Sequence, residues 1–173
     1  MRRSSRFLLL FASVVFLMAP TCPFEATVPL AEPEGSIDPR LAGVWLARGG
    51  DGELGVLEFI PFNDAEYLAE WAVREGSKVT RMQFRAYRVA IGEHEFLQLQ
   101  PLNEEGKYLL GRYVMPDAST LVIRLVQDTI VPDEVSANPQ RLRRIIEENI
   151  TNEKLFGGEE PMVFARYEAT PMP

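Results

Sequence analysis

The sequence predicts an all-β domain: an up-and-down antiparallel β-barrel of about eight strands, with one C-terminal helix before the last strand. Three observations carry this prediction. Short β-prone runs recur from Leu41 onward, most connectors between them hold two to five residues, and a single stretch switches to helical spacing. Short connectors favour hairpins between sequential antiparallel strands. A meander of that length would expose two free edges, and curling shut removes both.

In chain order the runs are "LAGVWLAR" from Leu41, "ELGVLEFI" from Glu53, "EYLAEWAVR" from Glu66, "VTRMQFRAYRVAI" from Val79, "EFLQLQP" from Glu95, "KYLLGRYVM" from Lys107 and "TLVIRLVQ" from Thr120. The turn signals "GGDG", "PFNDA", "EGS", "GEH", "LNEEG" and "PDAS" separate them. Side chains alternate as half-buried strands require: Tyr67, Ala69, Trp71 and Val73 oppose Glu66, Glu70 and Arg74, and Leu121, Ile123 and Leu125 oppose Thr120 and Arg124. "ANPQRLRRIIEENI" breaks the pattern. Asn138 suits an N-cap and Pro139 a first helical position, and Leu142, Ile145, Ile146 and Ile150 recur at helical spacing. "LFGG" (155–158) is expected to stop that helix. Its apolar stripe must lie on the barrel wall or over an open end. "PMVFARYE" then supplies an eighth strand.

The first residues are a different kind of segment. Arg2, Arg3 and Arg6 precede an apolar run from Phe7 to Ala19, which is the layout of an export signal (1–21). That run falls short of the roughly 20 residues a spanning helix needs. Cys22, the single cysteine, follows directly in "LMAPTC". It is either the lipid-modified first residue of a mature bacterial lipoprotein, or it is lost or left as a free thiol when a peptidase cuts nearby. Residues 22–39, with Pro23, Pro29, Pro33 and Pro39, read as a flexible tether, and 40–173 as the barrel domain. The chain holds 18 Lys and Arg against 25 Asp and Glu, and removing the signal leaves 15 against 25. A domain that acidic is not expected to bind nucleic acid.

A Gly two places before a Trp at the start of the first strand ("GVW", Gly43 and Trp45), followed by a meander, a late helix and a returning strand, resembles a lipocalin or lipocalin-like (calycin-type) barrel. The likeness spans residues 38–168 and is nearest to small exported bacterial lipoproteins. It implies that Trp45 plugs one end of the barrel beneath Arg166, a cation–π contact. The family's second motif, a "TDY" in a later loop, is absent, and two hairpins that usually line the mouth are short.

Eight-stranded barrels are either filled by side chains or hold one small ligand. Candidate pocket residues are Trp71, Phe84, Phe96, Gln98, Gln100, Tyr108 and Arg112, although Leu97 and Leu99 are the more obvious core face of their strand. The competing reading has the aromatics filling the core and both glutamines facing water. His94 with Glu93 and Glu95 does not make a metal site, because adjacent strand residues point to opposite faces. With one His and one Cys, zinc sites and Ser–His–Asp triads are not expected, nor is any cofactor. The expected protein is therefore non-enzymatic. It is a membrane-tethered envelope barrel that binds a small apolar or amphipathic ligand, or a filled barrel that serves as an interaction module for a protein partner.

Overall fold

The computed structural model describes residues 23–48, 53–158 and 160–168, so the export segment and Cys22 lie outside the described residues. Eight strands follow one another: β1 (Gly43–Arg48), β2 (Leu54–Pro61), β3 (Glu66–Glu75), β4 (Lys78–Ile91), β5 (His94–Pro101), β6 (Leu109–Asp117), β7 (Thr120–Leu125) and β8 (Met162–Arg166). Each pairs antiparallel with its predecessor, and β8 returns to β1 through Trp45↔Arg166 and Leu46↔Ala165, closing the barrel. Among the described residues, the expected all-β barrel, with its strand order and one α-helix before the last strand, is the observed one.

Two cores share this sheet because several strands are apolar on both faces. Inside the barrel, Leu41, Trp45, Phe59, Tyr67, Leu97, Leu121 and Phe164 pack into one cluster. A second cluster lies on the outer wall, where Tyr87, Val89, Ile91 and Phe96 are covered by Leu142, Ile146, Leu155 and Phe156. Helix α1 (Pro139–Glu148) supplies part of that cover, with Asn138 capping it by accepting from the Arg141 amide at 2.9 Å. Its stripe therefore meets the wall rather than an open end.

Two sequence expectations are corrected here. "LFGG" does not end α1, which stops at Glu148 with Asn149 as its cap. Gly157, in the left-handed region at φ 75°, ends a separate one-turn helix, Glu153–Phe156. Nor is the stretch from Pro23 to Pro39 a free tether. The Phe24 amide donates to the Val126 carbonyl at 2.9 Å, and Ala26 and Tyr108 exchange both backbone bonds. Phe24, Ala26 and Leu30 are buried in the outer core. The prolines keep this strap extended, and its alternating apolar residues dock it on the barrel.

A buried polar network holds the strap in place. Gln98 Oε1 accepts from the Leu30 amide at 2.7 Å, Gln98 Nε2 donates to the Tyr87 hydroxyl, and that hydroxyl donates to the Ala31 carbonyl at 2.9 Å. Burial pushes the Tyr87 hydroxyl up to about 12, so it stays a donor at any physiological pH.

Candidate functional site

One end of the barrel is closed. The Trp45 ring is fully buried and its Nε1 donates to the Leu41 carbonyl at 2.8 Å. Arg166 lies over it, with Cζ 4.2 Å from the ring centroid. The same guanidinium donates to the carbonyls of Ala42 at 2.9 Å, Ala118 at 3.0 Å and Arg40. Gly43 is required twice over. Its φ of 116° disfavours other residues, and a Cβ there would sit 3.2 Å from the Arg166 Nη1. Gly43, Trp45 and Arg166 thus come together, and they close the barrel without entering its cavity.

Carboxylates brace this closed end. Asp38 is buried and bonded to Arg40 at 2.7 Å, and its carbonyl accepts from the Tyr67 hydroxyl at 2.6 Å. The Arg40 guanidinium holds the Asp38 carboxyl below the usual carboxylate range. For Glu66, burial raises the pKa, but bonds from Asn63 and Arg85 outweigh it and the net direction is also down. Groups held low in the folded state stabilise it above their unfolded pKa, and that contribution disappears as pH falls through the folded value. The expected result is a Tm that falls between about pH 5 and pH 3. The fall should be shallower in Asp38→Asn when thermal melts are compared across that range, and equal slopes would remove Asp38 from the account.

The opposite end is open, and burial along the inward-facing positions shows it. On β3, Tyr67 and Ala69 are fully buried whereas Trp71 and Val73 are only partly so. On β7, Leu121 and Ile123 are buried and Leu125 is half-buried. On β5, Leu97 is buried and Leu99 is half-buried. The lower half of the barrel is packed, and the upper half encloses a cavity of about 1290 Å³ that opens at the mouth. Its walls include Phe84, Met82, Leu99, Leu109 and Met162. The Trp71 indole stands in the wall edge-on to Phe164 at 5.3 Å. Gly55 makes room for it, since a Cβ there would lie 3.0 Å from the indole. An apolar cup of this size with polar groups at its rim is the form of a small-molecule site.

Of the sequence-derived pocket residues, Trp71 and Phe84 line the cavity. The other five do not. Phe96 and Gln98 point outward beneath the strap, so Gln98 is neither a pocket group nor facing water. Tyr108 packs against the same outer core. Gln100 and Arg112 are half-buried on the outer wall, Arg112 in register with Phe96 and Arg124. The cause is the period-2 register, in which Leu97 and Leu99 take the inner face and send Phe96, Gln98 and Gln100 to the other. Gln127 escaped sequence reasoning. It ends the run "TLVIRLVQ" at the same inward parity as Leu121, Ile123 and Leu125, which is the signal that would have found it.

Comparison of the chain with protein-family models, curated proteins and solved structures finds no match.

Proposed function

We propose that this is an exported, lipocalin-like barrel, anchored to a bacterial envelope membrane through Cys22, which binds one small apolar or amphipathic ligand. The observation that carries the reading is the cavity of about 1290 Å³, closed at the Trp45 end, open at the other and walled by apolar side chains. The "GVW" opening and the Arg166 stack support the lipocalin-like assignment, and the basic and apolar leader supports export. With Pro23 already bridged to Gln127, an acylated Cys22 would hold the mouth close to the bilayer rather than on a long leash. The reading includes no catalytic step.

Titration with an uncharged hydrophobic fluorophore, followed by its emission and by Trp71 quenching, tests this reading. Saturable one-to-one binding is expected. Leu99→Trp, which places an indole in the cup, should weaken it at least roughly tenfold while the thermal melt is kept. Absence of saturable binding would remove the ligand reading. The rival interaction module is favoured by one observation. Val114 and Val163 flank Val122 in register on the outer wall of β6–β8, and both are about half exposed. A partner on that wall would leave ligand affinity in the cup unchanged.

A further inference from the structure

We infer that the cup prefers a ligand with a cationic, hydrogen-bond-donating head on an apolar tail, such as a primary alkylammonium, and that Gln127 and Glu75 receive the head. This deepens the ligand-binding reading above and rests on it. Gln127 is 5% exposed and lines the cavity. Its Nε2 reaches the Leu125 carbonyl at 3.4 Å, while its Oε1 is buried with no hydrogen-bond partner among the described residues. Glu75 continues the inward parity of Tyr67, Ala69, Trp71 and Val73, lines the same cavity, and has its Oε1 buried and without a hydrogen-bond partner among the described residues.

Both unmatched atoms are acceptors, so the group that would complete this site is a donor. The charge at the mouth has the same sense. Glu53, one turn of the pleat beyond Gly55, also lines the cavity and has no ion-pair partner among the described residues. Lys107, the cation at the matching position before β6, is shared by Glu104 at 2.7 Å and Glu25 at 3.2 Å. Arg48, Lys107 and Arg124 also line the cavity, but the carboxylates of Glu25, Glu53, Glu75, Glu104, Asp128, Asp133 and Glu160 outnumber them, so an anionic head would meet an excess of like charge. A neutral head would leave the carboxylates uncompensated, and an ammonium satisfies both them and the Gln127 amide oxygen. The tail would lie below, along Trp71, Leu99 and Leu109.

Calorimetric titration of the full mature chain at pH 7 and low salt with decylamine, 1-decanol and decanoate, all below their micelle concentrations, tests the inference. Decylammonium should bind roughly tenfold tighter than decanol, with decanoate the weakest of the three. Glu75→Gln and Gln127→Leu should each lower the decylammonium affinity several-fold and the decanol affinity by clearly less, since the hydroxyl loses one neutral hydrogen bond and no charge pairing, and Glu75→Gln at the mouth serves even if Gln127→Leu does not fold. Decanol binding as tightly as decylammonium, or decanoate binding tightest, would overturn the headgroup preference and leave the cup reading standing. Lack of saturable binding by all three would overturn both.

Discussion

Trp45→Ala is expected to lower the unfolding free energy by roughly 3–5 kcal/mol, the range for deleting a fully buried large aromatic side chain. The ring has no solvent contact, and its Nε1 bond to Leu41 is lost with it. For a domain of this length that corresponds to a fall in Tm of about 6–20 °C. Arg166→Ala should cost less, about 2 kcal/mol, because it removes the cation–π contact and the bonds to Arg40, Ala42 and Ala118 but leaves a partly exposed site. The two effects should not add. The guanidinium bonds its carbonyls most favourably while it rests on the indole, so a double-mutant cycle should return a coupling of about 1 kcal/mol. Urea unfolding followed by far-UV circular dichroism gives all three numbers. A Trp45→Ala loss below about 1 kcal/mol would mean that the closed end does not hold the seam. Ligand affinity should survive in the folded Trp45→Ala protein, since Trp45 is not part of the cavity wall.

The seam explains why one ring matters so much. β1 and β8 share only the register pairs Trp45↔Arg166 and Leu46↔Ala165, extended by the Tyr167 amide bonded to Val44 at 2.8 Å. A barrel closed by so short a ladder relies on side chains to keep it shut. This part was legible in the sequence, because Gly43, Trp45 and Arg166 are marked by local chemistry and by their place at the two ends of the meander. Strand number and order were legible too, since alternation and short turns are local signals. The outer layer was harder to read. Strands such as "VTRMQFRAYRVAI" and "EFLQLQP" are apolar on both faces, which means cover on both sides, yet periodicity alone does not say which face is the inner one. Proline-rich composition hid the strap as well. Phe24, Ala26 and Leu30 alternate like a strand, but the ladder they join lies some eighty to one hundred residues away. The cavity depends on how far inward side chains reach from eight strands at once, and no local pattern records that.

Phe96→Ala is expected to match Trp45→Ala in cost, roughly 3–5 kcal/mol, while sparing the cup. Phe96 is fully buried, but on the outer wall, between the strap and the segment that follows β7. Removing its ring opens a space beside Gln98, whose bonds to Leu30 and Tyr87 hold the strap down. The strap should then loosen first, and limited proteolysis should show faster cleavage within residues 27–37 in the variant. Hydrophobic fluorophore binding should stay within about twofold, because Phe96 is separated from the cavity by the sheet itself. Trp71→Ala should do the reverse: a smaller loss of stability, since the indole is only partly buried, and a clear loss of ligand affinity. If Phe96→Ala weakened binding as much as Trp71→Ala, the two faces of the barrel would not be independent. The assignment of ligand to the inner face and of strap and helix to the outer one would then have to be abandoned.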